Sequence, residues 1–309
     1  MARDVPPRVL VLGATGDQGS AQVEAARSAG FGVVAGVRDG ARALRQLGSD
    51  VELRQVDLAA AESLDLALRD VDVLFANFAS SSFNDGAALL HQADTVARAA
   101  RRAATPLVLF NTSMPLRDRP IGHPGHDVRL GMVERFVAQE LPLVVFNPVV
   151  FMGNLLRGWA NPGIVERGCF EYPHAPDLEV AWVCQEDLAQ LMVAAATRPH
   201  LAGRRFAVGG PQLLRGADVA RILGEVLGRP VRFVSQSVAD FCAAIAPQVR
   251  IADATARERM LADLGRIYRW YNESPEKPFR VDMTATLREL PVTLTPLSNW
   301  AARQSWQRR

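Results

Sequence analysis

Lysine is almost absent from this 309-residue sequence: Lys277 stands alone, so the other members of its 35 Lys and Arg residues are arginines. Tyrosine and cysteine are scarce too, at three each. Cys169, Cys184 and Cys242 lie far apart with no C-x-x-C. That spacing suggests neither a disulfide framework nor a zinc site, and buried structural thiols are the default expectation. No run approaches the roughly 18 unbroken apolar residues a membrane helix needs. The opening Met-Ala-Arg-Asp-Val-Pro-Pro-Arg has no apolar export signal. A cytoplasmic chain with no membrane partner is expected.

An excess of one charge is also missing. The 35 basic residues face 33 acidic ones, and no basic face carries interleaved aromatics, so nucleic acid is not an expected partner. Arg101-Arg102, Arg204-Arg205 and Arg308-Arg309 are scattered and read as solvated surface. No Gly-x-Ser-x-Gly elbow occurs, which argues against serine hydrolysis. His91, His174 and His200 have no metal-ligand spacing.

What is present is ample apolar material, 49% of the chain, with 23 Gly and 19 Pro. That suits one large α/β domain, or a domain with an added lobe. Short apolar strands are expected at 8–12, 32–37, 51–56, 71–76, 107–110 and 143–146, with helices between them, among them 20–29 and one around 91–102. The alternation predicts a doubly wound parallel sheet. After Phe146 the rhythm breaks. Residues 151–180 read as a long connection with little regular structure, a kind of segment that often lines sites. Strands at 179–183 and 205–208 then flank a helix at 186–196 that begins on Glu186-Asp187. A helix from Gly216 to Gly228, a strand at 231–235 and a mostly helical remainder follow, ending in an apolar turn at 297–300. The expected organisation is a nucleotide-binding domain over 1–153, rejoined by 179–210, with a smaller mixed lobe from 154–178 and 211–309.

Between the first strand and first helix lies Gly13-Ala14-Thr15-Gly16-Asp17-Gln18-Gly19. Gly13 permits the tight turn, Gly16 lets backbone approach a pyrophosphate, and Gly19 allows the helix to close on the strand. The N–H groups and dipole of the helix start favour the anion. The second strand ends Val37-Arg38-Asp39-Gly40, with Arg42 close behind. A guanidinium there matches a 2′-phosphate by charge and shape, so NADP(H) is the expected cofactor. Asp39 comes one residue late to grip the ribose. Asp57, with Leu58, either meets the adenine amino group or caps a helix. Asn77 and Phe78 fall beside the expected nicotinamide ribose, although Asn77 alternatively satisfies a turn. Ser80 in Ser80-Ser81-Ser82 either lines the cleft or is plain loop.

These pieces resemble the NmrA-like branch of the atypical short-chain dehydrogenases/reductases. The resemblance rests on Gly13–Gly19, Arg38, Asp57-Leu58, Asn77-Phe78, and Leu141-Pro142-Leu143 leading into Asn147-Pro148-Val149-Val150-Phe151-Met152-Gly153-Asn154-Leu155-Leu156. Trp182-Val183, Glu186-Asp187-Leu188-Ala189 and Leu214–Ala220 add to it, and the match is weakest at 157–180 and 236–280. It implies a Rossmann core, a small C-terminal lobe and a substrate cleft between them, with Pro148 near the cofactor. Activity is not implied, because the family includes reductases and redox sensors that catalyse nothing. Both monomers and homodimers occur in it.

The departure lies at the chemistry. Active short-chain reductases use a Tyr-x-x-x-Lys pair, and many NmrA-like relatives keep only the lysine. Counting back from Glu134 sets the lysine position at Leu130 and the tyrosine position at His126. Neither residue is there. Replacement candidates are Ser113, in Asn111-Thr112-Ser113, as a substrate-polarising group, and His126 as a proton donor. Arg129, on the same helix face as His126, would orient an anion. Asp127 would point elsewhere. The bland alternative for His126 is a polar residue in an irregular Gly/Pro loop. Asn111, Phe151, Met152, Trp159 and Tyr172 are candidate substrate contacts, with core packing as the alternative for the last four.

Three functions fit. One is an NADPH-dependent reductase of a small aromatic, quinone or enone-type molecule, whose product anion needs no strong acid. Another is an NADP(H) sensor without turnover. The third is a non-redox cyclase, isomerase or dehydratase using His126 and Ser113.

Overall fold

The computed structural model of the chain describes residues 6–78, 85–249 and 251–306. Contacts divide it into two units. The first comprises 1–148, 185–207 and 285–292, and the second 149–184, 208–284 and 293–309.

The first unit is a seven-stranded sheet between layers of helices. Its strands are β1 (Arg8–Leu12), β2 (Gly32–Val37), β3 (Glu52–Gln55), β4 (Val73–Ala76), β5 (Leu107–Asn111), β6 (Leu143–Pro148) and, after β7 (Cys169–Tyr172) of the second unit, β8 (Arg205–Val208). They lie in the order β3-β2-β1-β4-β5-β6-β8, and β3 through β6 pair in parallel. Parallel strands covered on both faces must be apolar throughout. Val9-Leu10-Val11-Leu12 and Val73-Leu74-Phe75-Ala76 are accordingly buried without a break. The helices are α1 (Asp17–Ser28), α2 (Gly40–Leu47), α3 (Ala61–Ala67), α4 (Gly86–Arg102), α5 (Pro124–Ala138) and, after α6 (Asn161–Arg167) of the second unit, α7 (Gln185–Ala196). The chain reverses direction across the sheet between β1 and β4. Such a switch point opens a crevice beyond the carboxyl ends of the strands, where ligands of this architecture sit.

The expected strands of this sheet, apart from the one at 179–183, are present with ends moved by no more than two residues. Two short helices, α2 and α3, supply the β2–β3 and β3–β4 crossovers. Segment 285–292 joins the first unit although its sequence follows the second.

In the second unit, residues 151–180 are more regular than expected. They hold a 3₁₀ turn at Met152–Leu156, α6 (Asn161–Arg167) and β7 (Cys169–Tyr172). Pro162 sits in the first turn of α6, where a missing N–H costs nothing, and Gly168 closes it at φ 63°. Strand β7 pairs in parallel with β9 (Arg232–Ser235). Residues 179–183, expected as a strand, make only single bridges, Val180 to Leu214 and Val183 to Phe151. Helix α8 (Gly216–Leu227) starts with Asp218 accepting the Arg215 N–H at 3.0 Å and ends at Gly228. Helices α9 (Val238–Ile245), α10 (Ala254–Glu273), α11 (Thr284–Glu289, which ends in the first unit) and α12 (Leu297–Ala302) complete the chain. Among the described residues no helix is long and apolar enough to cross a membrane.

Candidate cofactor and active site

The glycine turn follows β1 at the switch point. Gly13 takes φ 64°, a conformation that a side chain disfavours. Gly16 is the N-cap of α1 and offers the first turn no side-chain acceptor. A Cβ at Gly19 would run into the Gly13 carbonyl and lie 2.9 Å from Ala14 Cα. The helix start therefore sits directly on the turn, with its N-terminal dipole aimed into the crevice. The Thr15 carbonyl accepts from Gln46 Nε2 at 2.9 Å, which ties α2 to the turn. Asp17 lies exposed in the first turn.

At the end of β2, Arg38, Arg42 and Arg45 are exposed. Among the described residues, no ion pair or hydrogen bond engages their side chains. The neighbouring acid is already employed: Asp39 caps α2 by accepting the Arg42 N–H at 3.0 Å. Asp57 is not a helix cap, since the N-cap of α3 is Ala60; its carboxylate closes a turn on the Ala59 N–H at 2.9 Å. Leu58 packs part-buried against the sheet core.

Past β4 and β5 the polar side chains interlock. Asn77 is buried, and its amide donates to the Leu12 carbonyl at 3.0 Å and to Gln22 Oε1 at 2.6 Å. Its oxygen accepts from Gln22 Nε2 at 3.1 Å and Asn111 Nδ2 at 3.0 Å. Every bonding position of the Asn77 side chain is thus filled by the chain, which makes it a hub joining three elements. Phe78, expected beside the cofactor, packs in the core, edge-on to Phe110 at 5.6 Å and to Phe136 at 6.4 Å. Ser80 lies outside the described residues. Pro148 ends β6, buried.

Ser113 follows β5 at φ 60°, strained for a residue with a Cβ. Asn111 Oδ1 holds it by accepting its N–H at 2.9 Å. Both residues meet Gln18, whose side-chain oxygen accepts from Asn111 Nδ2 and from Ser113 Oγ.

His126 is placed differently from a proton donor. Helix α5 begins at Pro124, so the segment is helical rather than irregular, and the ring is fully buried. Nε2 accepts the Arg117 N–H at 2.8 Å, which leaves the proton on Nδ1, 2.8 Å from Asp127 Oδ1. Asp127 also accepts the N–H groups of Ile121 and Gly122, each at 2.9 Å. Burial lowers the imidazole pKa, against the pull of Asp127 to raise it. Burial would raise the Asp127 pKa, but the Ile121 N–H, His126 and the Gly122 N–H outweigh it and lower it. With both ring nitrogens engaged, His126 pins the 113–123 loop. Arg129, one turn on, and Leu130 are buried as well.

Two substrate-contact candidates in the second unit are core. Met152 and Tyr172 are buried, and the Tyr172 hydroxyl faces Tyr268 Oη and Asn154 Nδ2, each at 3.4 Å. Burial pushes Tyr172 up to about 12. Phe151 is nearly covered, and Trp159, half-exposed, packs on Tyr172 and Phe241. Among the described residues no cluster could hold a metal ion.

Gln22 went unnoticed in the sequence, yet it bridges Asn77 and Met192 Sδ. The signal was available: Gln18 and Gln22 are four apart and share a helix face.

A glycine turn at the switch point of a parallel sheet defines a dinucleotide-binding α/β protein. The family model described as "NmrA-like family" matches residues 7–301, and the chain belongs to that family. It is 32% identical over 230 residues to an NAD(P)H azoreductase of Xenophilus azovorans, covering 74% of this chain and 76% of that one. In structure it resembles the Citrobacter sp. triphenylmethane reductase complexed with NADP(H), with TM-score 0.76, 18% identity and coverage of 96% and 99%. It also resembles NmrA, a negative transcriptional regulator, in complex with NADP, with TM-score 0.75, 20% identity and coverage of 96% and 95%. The two structural likenesses concern the fold.

Proposed function

We propose that this protein is an NADPH-dependent reductase of small aromatic, quinone or enone-type acceptors. The observation that carries the reading is the cradle formed by Gly13, Gly16 and Gly19, with Arg38 and Arg42 uncommitted at the neighbouring strand end. The diphosphate would meet the N–H groups at the start of α1, and the guanidinia would take the 2′-phosphate. The similarity to an azoreductase supports redox chemistry on a conjugated acceptor. When bound, the reduced nicotinamide supplies the hydride.

The residues present suit an acceptor that needs little acid. Leu130 and His126 stand where a Tyr-Lys relay is expected, and His126 is committed to Arg117 and Asp127. Protonation by water suffices when conjugation stabilises the anion formed by hydride addition. The lock on His126 also counts against the non-redox reading, which needs a free imidazole.

The test mixes purified protein with NADPH and a panel of quinones, enones, azo dyes and triarylmethyl cations, following nicotinamide absorbance without oxygen. Oxidation dependent on both protein and acceptor is expected. NADPH that binds but stays reduced across the panel would identify a sensor instead.

A further inference from the structure

Gln18 has hydrogen-bonding capacity that the described residues do not consume. Its oxygen takes two donors, Asn111 Nδ2 and Ser113 Oγ, the latter at 3.2 Å. Those donors are themselves fixed. Asn111 is tied to Asn77 at 3.0 Å, and Ser113 is held at a strained φ by Asn111. A carboxamide gripped by its oxygen has one orientation, and its NH₂ group points away from the grip. No acceptor among the described residues engages the Gln18 amide protons, and the side chain is half-exposed. Ser113 is in the reverse position. A hydroxyl has one proton, and that proton is given to Gln18.

We infer that the Gln18 amide, rather than the Ser113 hydroxyl, hydrogen-bonds the oxygen of a carbonyl, quinone or enone acceptor. The inference rests on the reductase reading and names a specificity-determining residue for it. As a hydride from NADPH adds to the acceptor carbon, the π pair of the C=O, direct or conjugated, moves onto oxygen. NADP⁺ is left behind. The Gln18 N–H stabilises that oxyanion without surrendering its proton, because an amide is far too weak an acid. Water then delivers the proton that completes the two-electron reduction. Pre-fixed neutral donors aimed at developing negative charge work this way in other acyl and enolate chemistries, and removing one costs roughly 100-fold in kcat. A triarylmethyl cation has no such oxygen. Hydride closes its C–H bond directly and cancels the charge, so Gln18 has no part in its reduction.

The test compares Gln18→Met and Ser113→Ala on an enone and on a triarylmethyl cation. Gln18→Met is expected to lower kcat on the enone roughly 100-fold more than on the cation. Ser113→Ala, which leaves Gln18 held by Asn111, is expected to affect the enone far less. Calorimetry supplies a readout besides turnover: with each protein saturated by NADP⁺, Gln18→Met binds a phenolate, an oxyanion mimic, more weakly than the wild type does. Gln18→Asn, which withdraws the amide by one methylene, serves as second variant should the first not fold, with the same enone-selective loss expected. Equal slowing of both acceptors by Gln18→Met, or a larger enone loss in Ser113→Ala, overturns the inference while the reductase reading stands. A wild type inert toward both acceptors overturns the two together.

Discussion

The backbone N–H of Arg117 donates to His126 Nε2 at 2.8 Å across nine residues of chain. This bond, with the one from Nδ1 to Asp127, converts a residue at the family's tyrosine position into an anchor. His126→Phe keeps the volume and leaves the Arg117 N–H and Asp127 without their partner, at a cost of about 1–3 kcal/mol. Urea unfolding would measure it. Because burial holds the folded imidazole below its ordinary value, the stabilisation is complete above the unfolded pKa and declines as pH falls beneath it. His126→Phe should flatten that decline. Unchanged stability with abolished turnover would return His126 to the role of proton donor.

Gly19→Ala places a Cβ against the Gly13 carbonyl and Ala14. Overpacking of this kind costs about 1–3 kcal/mol, and here it also deforms the phosphate cradle. Both melting temperature and NADPH affinity should fall. Gly40→Ala, with nothing within 4 Å of the new Cβ, is the control and should leave both nearly unchanged.

Arg38→Ala should weaken NADPH by about 1.5–3 kcal/mol, the size of a charge-assisted contact, and NADH hardly at all. Calorimetric titration of both coenzymes checks this. Equal losses would remove the argument for a 2′-phosphate contact.

His174 gives a separate pH prediction. It is buried among Tyr172, Trp182, Tyr268 and Phe279, no hydrogen-bond partner reaches its Nε2 among the described residues, and burial lowers its pKa to about 3. The unfolded chain binds a proton near pH 6.5 and the folded one does not. Stability is therefore full above that value and falls by about 1.4 kcal/mol per unit below it. His174→Phe should remove this slope in acid unfolding experiments. An unchanged slope would mean the ring is protonated in the fold.

The sheet was legible because strands buried on both faces read as unbroken apolar runs, as at Val9–Leu12 and Val73–Ala76. The cradle was legible because its glycines answer to backbone sterics alone. The polar site was not. Asn77 and Phe78 both follow β4, yet one became a saturated hub and the other entered the core. Which way a side chain turns after a strand depends on partners 55 and 34 residues away, and no local pattern encodes those. His126 misled for the same reason, since its acceptor role depends on a backbone N–H supplied by a loop. The aromatic segment around Tyr172 stayed open between substrate contact and core because composition does not separate a lining from a core.

Hydride transfer itself is tested by reducing an enone or a triarylmethyl cation with NADPH deuterated at C4 of the transferred face, and weighing the product. The account predicts one deuterium bound to carbon in the product, at the enone β-carbon or the central methane carbon, released in step with NADP⁺. A protein that binds the labelled coenzyme tightly yet yields no labelled product from any acceptor would contradict it.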